Sequence, residues 1–144
     1  MKTRALTVVL LVSIAVSMPG VGRSQSKEQL GTVNFSNSCS PGVQETFQRG
    51  VAMLHSFRYG EGEKTLREVL AQDPSCAIAT WGIAAMLMSN PLAGVGPSKE
   101  WAERAQAAID QGRKIGAKTQ RERDYIDGVL GAKGFLADRE RPVE

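Results

Sequence analysis

Apolar residues recur every three or four positions through most of the chain after residue 40, and this spacing constrains the fold more than any other feature. In the first such stretch they are Val43, Phe47, Val51 and Leu54, which would share one face of a helix. Proline and glycine steps divide the pattern into segments. No segment of adequate length alternates between apolar and polar residues as a half-buried strand would. The pattern predicts an all-α chain.

Start and stop signals predict five helices. Ser40 and Pro41 provide an N-cap followed by a proline at the first helical position, which is a strong helix start. Asp73 and Pro74 end the second helix and begin the third, and the third is apolar on all sides, as a helix buried between neighbours would be. Residues 90–98 are rich in proline and glycine, which predicts a loop. The predicted helices span residues 41–57, 61–72, 75–89, 99–115 and 119–136.

The N-terminus has the pattern of a secretory signal peptide over residues 1–24. Lys2 and Arg4 precede an apolar run over 5–18, and small residues follow it, which is the order of a cleaved signal. An uncleaved anchor is the alternative, but the run is shorter than the roughly 20 residues that span a bilayer. We therefore expect a periplasmic or secreted protein with no membrane span after cleavage, beginning with an irregular arm over 25–40.

Charge gives no indication of nucleic-acid binding. The chain has 18 basic and 15 acidic residues, and three of the basic ones, Lys2, Arg4 and Arg23, would leave with the signal peptide. The remaining chain would then be balanced near neutrality. A nucleic-acid-binding protein needs a clustered basic face, so we expect no nucleic-acid partner.

Two cysteines, Cys39 and Cys76, are the first candidates for chemistry. In an exported protein they are candidates for one disulfide; two free thiols, or a reactive thiol, are the alternatives. The lone His55 lies at the opposite end of its predicted helix, about 20 Å away at 1.5 Å per residue, which disfavours a Cys–His pair. With no catalytic motif in the chain, we expect no enzyme activity and no cofactor.

A metal site is a remote alternative. Met53, His55, Met86 and Met88 would lie toward one end of two adjacent predicted helices. Thioether and imidazole ligands suit copper, but methionine is also a common gap-filler in helical cores. We expect core packing here and no metal.

A period of about 34 residues relates the helical hairpins to one another. If Pro74 ends one unit, that unit begins at Val43, with Gly50 at its small position and Tyr59 at its turn, and the next unit begins at Ala77. Residues 43–117 therefore resemble tetratricopeptide (TPR) repeats. Residues 30–84 are also similar to the N-terminal part of a group of exported bacterial TPR-like proteins, whose biochemical role is uncharacterised.

The resemblance implies a short solenoid of stacked antiparallel hairpins, about two and a half repeats, over 41–137. Stacking would bring the two cysteines together, because the first helices of successive units run side by side. A C-terminal tail over 138–144 would follow, and the resemblance leaves open whether the chain is a truncated member. The fifth helix would have to fold back on the fourth or form a homo-oligomer through its apolar face, which carries Tyr125, Val129, Ala132 and Leu136.

The resemblance also implies a ligand groove on the concave face. The groove is apolar, so either it binds a peptide or small apolar ligand, with Phe47 and Trp81 as aromatic anchors, or the arm covers it with Leu30, Val33 and Phe35. We expect a binding or scaffold module for a protein or peptide partner; the alternative is a structural N-terminal segment of a longer exported repeat protein whose activity lies elsewhere. The predicted groove residues are Gln44, Phe47, Val51, Leu54, His55, Ile78, Trp81, Ala85, Met88 and Ser89.

Overall fold

The structure, a computed structural model, describes residues 30–93 and 96–129. These residues form five α-helices and two short 3₁₀ turns, Pro41–Val43 and Pro91–Ala93, and they contain no strand. The predicted all-α class is confirmed. The helices are α1 (Gln44–His55), α2 (Tyr59–Gln72), α3 (Ile78–Leu87), α4 (Lys99–Ile115) and α5 (Gln120–Gly128).

Several predictions fall on residues outside this description. They are the signal peptide over 1–24, the first residues of the arm over 25–29, the last part of the fifth helix and the tail over 138–144. Within the described residues, no helix is both long and apolar enough to cross a membrane.

Helix α4 has the predicted limits at both ends. The side chain of Ser98 accepts a hydrogen bond from the backbone N–H of Trp101, which satisfies one of the free donors of the first turn. Gly116 follows the helix with φ +82°, a left-handed conformation that glycine adopts without steric cost. Local sequence signals are therefore sufficient to define this helix.

Helices α1 and α3 begin later than predicted. Residues 41–43 form a 3₁₀ turn, and the Ser40 side chain makes no capping hydrogen bond. Before α3, the Asp73 carboxylate accepts hydrogen bonds from the N–H and the hydroxyl of Ser75, which stabilises a turn in place of a helix cap. Cys76 consequently lies in this turn, ahead of α3, and not in the first turn of the helix as predicted.

Helix α3 is the centre of the fold, because it contacts each of the other four helices. Eight of its ten residues are buried, which fits the prediction of a helix surrounded by neighbours. Helices α1, α3 and α5 contact one another in succession, while α2 packs on α1 and α3, and α4 packs on α3 and α5. One face of the molecule is therefore built from α1, α3 and α5.

Close crossing of the helices depends on glycine at the points of contact. Leu66 of α2 is fully buried and inserts between Gly50 of α1 and Gly82 of α3. A Cβ atom at either glycine would lie 2.7 Å or 2.5 Å from the Leu66 side chain, closer than atoms in van der Waals contact. These two glycines let one leucine fill the space shared by three helices.

Candidate functional site

The arm lies across the face built from α1, α3 and α5. Its Phe35 is buried, with 8% of its surface exposed. The Phe35 ring stacks on Trp81 of α3 at 5.3 Å between centroids, and lies 5.5 Å from Phe47 and 5.2 Å from Tyr125. Of the two arrangements considered for the groove, the structure has the one in which the arm covers its inner part.

Arg121 and Lys118, near the N-terminus of α5, bind the backbone of the arm. Arg121 donates a hydrogen bond to the carbonyl of Ser36 at 2.7 Å, and its guanidinium lies 4.6 Å from the centre of the Phe35 ring, within cation–π range. Lys118 donates to the carbonyl of Ser38 at 3.1 Å. The two hydrogen bonds to backbone carbonyls do not depend on the side chains of the arm, whereas the cation–π contact requires the Phe35 ring.

Glu122, also on α5, is a buried carboxylate with 2% of its surface exposed. It accepts hydrogen bonds from the Ser38 N–H at 2.6 Å and from the Ser38 hydroxyl at 2.7 Å, one on each oxygen. Hydrogen bonds to a charged acceptor are stronger than those between neutral groups. A buried carboxylate left without these donors would be costly, so Glu122 and Ser38 stabilise one another.

Asn37 and Gln44 form a reciprocal amide pair between the arm and α1. Each side chain donates one hydrogen bond to the other, at 2.9 Å and 2.8 Å. Gln44 also donates to the carbonyl of Cys39 at 2.9 Å. Gln44, a predicted groove residue, therefore contacts the arm through its side-chain amide.

A disulfide joins the arm to the turn before α3. Cys39 and Cys76 are bonded, with their Cα atoms 4.7 Å apart and a sequence separation of 37, so the predicted pairing is the one present. Beside it, the Asp73 carboxylate accepts a hydrogen bond from the Ser40 N–H at 2.7 Å. This bond, and a second from the Ser75 hydroxyl, hold the pKa of Asp73 below its usual value.

Cys39, Cys76 and Asp73 are also close enough to suggest a metal site. The two sulfur atoms are bonded to each other, however, so neither is a thiolate, which is the form that binds metals. The Asp73 carboxylate already accepts hydrogen bonds from the Ser40 N–H and the Ser75 hydroxyl. The disulfide and the Asp73–Ser40 hydrogen bond therefore hold the arm to the helices.

The remaining predicted groove residues differ in how accessible they are. Phe47, Val51 and Ile78 are fully buried, and Phe35 of the arm lies against Phe47. His55 is exposed at the end of α1. The half-buried members are Gln44, Leu54, Trp81, Ala85, Met88 and Ser89.

Of the three methionines considered for copper, two are buried and the third, Met88, is half-buried against the core. Met53 and Met86 are buried in the core, and the Met86 side chain packs directly against Gly62 of α2. The Thr65 hydroxyl donates to the Met53 sulfur at 3.6 Å. This placement fits the prediction that these two methionines fill space between helices.

An open pocket adjoins the Phe35 ring where α3 and α5 meet. Its volume is about 560 Å³, within the range of roughly 300–1,000 Å³ for ligand sites. Trp81 and Tyr125 line it with their rings edge to face, 5.1 Å apart, and Tyr125 is 37% exposed. The lining residues are Trp81, Arg121, Asp124, Tyr125, Gly128 and Val129.

Only Trp81 of the open pocket was predicted as a groove residue. The others lie on α5 or, in the case of Val129, directly after it. The sequence interpretation assigned Tyr125 and Val129 to self-association. A signal for them was present, since Arg121, Asp124, Tyr125 and Gly128 follow the three- and four-residue spacing of one helix face. That spacing shows a shared face without showing what the face lies against.

Comparisons of the chain with protein-family models, with curated proteins and with solved structures gave no match. The TPR resemblance therefore remains an interpretation of the sequence. The function has to be inferred from the geometry of the arm and the open pocket.

Proposed function

We propose that this chain is an exported TPR-like module that binds a peptide or a segment of a partner protein in the groove formed by α1, α3 and α5, without catalysis. The observation that carries the proposal is the open pocket, in which Trp81 and Tyr125 are partly exposed beside the arm. The succession of contacts from α1 to α3 to α5 supports the repeat arrangement.

The chemistry of the pocket suits a peptide. Tryptophan, tyrosine and arginine are the residues that most often dominate the binding energy of protein interfaces, and the pocket has one of each in Trp81, Tyr125 and Arg121. Asp124 adds an acceptor for a peptide N–H on the same rim. The neighbouring arm provides a precedent, because the same face already holds a segment of chain through its backbone carbonyls.

Export is part of the proposal. The signal-peptide pattern over 1–24 and the disulfide Cys39–Cys76 support a periplasmic or secreted location, since disulfides persist in oxidising compartments. The intact mass of the protein purified from its native compartment tests this. We expect a chain that starts near Gln25 and has no thiol to alkylate before reduction; an uncleaved chain with two alkylated thiols would contradict export.

Tryptophan fluorescence tests the binding site. The chain has two tryptophans, so Trp101→Phe leaves Trp81 as the single reporter in the pocket. Peptides selected from a displayed random library against the full-length protein are then titrated into this variant. We expect a saturable change in Trp81 emission.

Two further variants locate the site. Tyr125→Ala removes a pocket ring, and we expect at least about tenfold weaker binding, or about 1.4 kcal/mol. Tyr59→Ala is the matched control, because Tyr59 lies at the start of α2 and does not line the pocket. Equal affinity for the two tyrosine variants would exclude the open pocket as the site.

The second candidate is a structural segment of a longer exported repeat protein. The open side of α5, where Tyr125, Gly128 and Val129 line the pocket, supports it, because a further helix would bury such a face. This candidate predicts that no peptide binds with a change in Trp81 emission. The same titration therefore decides between the two.

A further inference from the structure

We propose that the open pocket is the subsite for one basic side chain of the bound peptide, an arginine or a lysine, with its cation at Asp124 and its aliphatic stem against the two pocket rings. The inference rests on the proposed peptide-binding function and names the chemistry of the ligand. Three observations carry it: a carboxylate without an ion pair, two rings set nearly at a right angle, and a glycine beside open space.

Asp124 is a carboxylate in the pocket wall that no cation of the described residues neutralises. Two other aspartates nearby in the fold, Asp110 and Asp127, both pair with Arg113. The Gln120 amide donates to one oxygen of Asp124 at 2.7 Å, and no side chain of the described residues donates to the other. That oxygen is open to a guanidinium or ammonium group, whose hydrogen bonds to a carboxylate are charge-assisted.

Trp81 and Tyr125 form two walls of the pocket. Their planes are inclined by 78° and their centroids lie 5.1 Å apart, and both side chains are partly exposed. The face of an aromatic ring attracts a cation, that of tryptophan most strongly. The stems of arginine and lysine also pack on apolar surface while their charged ends stay in water. A basic side chain therefore matches both the rings and the carboxylate.

Arg121 also lines the pocket, but its guanidinium is engaged with the arm and with Tyr125. It donates to the Ser36 carbonyl, and it lies 4.6 Å from the centre of the Phe35 ring and 5.2 Å from that of the Tyr125 ring. Although Arg121 and Asp124 are three positions apart on α5, they form no ion pair with each other. The carboxylate is therefore the charged group of this wall that is left for a ligand. An acidic ligand would instead use Arg121, so an acidic probe belongs in the test.

Gly128 leaves room for the stem of the ligand. A Cβ atom at this position would meet no described atom within 4 Å outside its own helix, and its φ is not positive. Gly50 and Gly82 differ, because such an atom there would lie 2.7 Å or 2.5 Å from Leu66. Neither packing nor backbone conformation requires glycine at 128, and glycine stabilises a helix less than alanine does. What it provides is open space in the pocket.

An NMR titration of the full-length ¹⁵N-labelled protein tests the charge requirement. The probes are blocked tripeptides, glycine–X–glycine, in which X is arginine, lysine, citrulline or glutamate; citrulline has the shape of arginine without its charge. We expect the Trp81 indole signal to move with saturation for arginine, lysine or both, with a Kd on the order of 1 mM. Citrulline and glutamate should bind at least about fivefold more weakly. Equal binding of arginine and citrulline, tighter binding of glutamate, or no shift with any probe would overturn the basic subsite.

Two variants with matched controls locate the subsite. Asp124→Asn should abolish the preference for arginine over citrulline. Asp127→Asn should keep it, because Asp127 pairs with Arg113 and does not line the pocket. Gly128→Leu should weaken binding of the arginine probe at least tenfold with no loss of stability in urea unfolding, while Gly60→Leu, also beside open space, should not weaken it. A preference that survives Asp124→Asn, or binding that survives Gly128→Leu, would overturn the assignment.

The failure of this inference differs from the failure of the proposed function. If library peptides change Trp81 emission but the arginine probe has no advantage over the citrulline probe, the basic subsite is wrong and peptide binding at the open pocket stands. If neither the library peptides nor the probes affect Trp81, both proposals fall.

Discussion

Phe35→Ala is expected to lower the free energy of unfolding by about 3 kcal/mol. Replacement of a buried phenylalanine by alanine costs roughly 3–5 kcal/mol, a loss of burial plus a residual cavity. The lower end applies here because Phe35 lies at the edge of the core, with 8% of its surface exposed. The loss includes its ring contacts with Phe47, Trp81 and Tyr125.

Urea unfolding followed by far-ultraviolet circular dichroism measures this change. The midpoint should fall while the slope, which reports the surface exposed on unfolding, stays the same. Phe57→Ala is the matched control, because Phe57 is 57% exposed and the same truncation should change stability by no more than about 0.5 kcal/mol. If Phe35→Ala costs as little as Phe57→Ala, the arm does not pack in the groove.

Three further predictions concern the disulfide and the carboxylate that hold the arm to the helices, and a glycine at which two helices cross. Replacing both cysteines of the disulfide by serine should cost up to about 4 kcal/mol in urea unfolding, because the bond closes a loop across 37 positions. The pKa of Asp73 is lowered first by the hydrogen bond from the Ser40 N–H and then by Ser75. The carboxylate therefore contributes stability that is present above about pH 4 and lost as pH falls through that pKa. Asp73→Asn should lower the free energy of unfolding at pH 7 and reduce its fall at acid pH, measured by unfolding curves over a pH series. Gly82→Ala should cost about 1–3 kcal/mol by overlap with the buried Leu66, while Gly60→Ala, with open space around it, should be neutral or slightly stabilising by thermal unfolding.

The helices could be predicted because their signals are local. The limits of α4 follow from Ser98 and Gly116, and the burial of α3 follows from its composition. The start of α1 was misplaced because a proline near a helix start does not distinguish a 3₁₀ turn from a helix. The start of α3 was misplaced because the Asp73 carboxylate accepts hydrogen bonds from the arm as well as from its own turn. Ser40, the arm residue that donates to Asp73, lies 33 positions away in the sequence, so local signals do not predict this contact.

The position of the arm could not be derived from its own sequence. Its polar residues have no periodicity, and what holds them is a set of partners distant in the chain, such as Glu122, which is 84 positions from Ser38. Of the predicted groove residues, Gln44, Phe47 and Trp81 do contact the arm. The open pocket was missed because it forms where Tyr125 of α5 packs beside Trp81 of α3, and the sequence does not show which helix α5 packs against.

The most direct test of the central claim, that this groove binds peptides, uses the two tryptophans as internal probe and control. In a two-dimensional NMR spectrum of the ¹⁵N-labelled full-length protein, each indole N–H gives one signal. On addition of a library-selected peptide, we predict that the Trp81 signal moves with saturation while the Trp101 signal, from the outer side of α4, stays in place. A shift of Trp101 alone, or of neither, would contradict peptide binding in the groove.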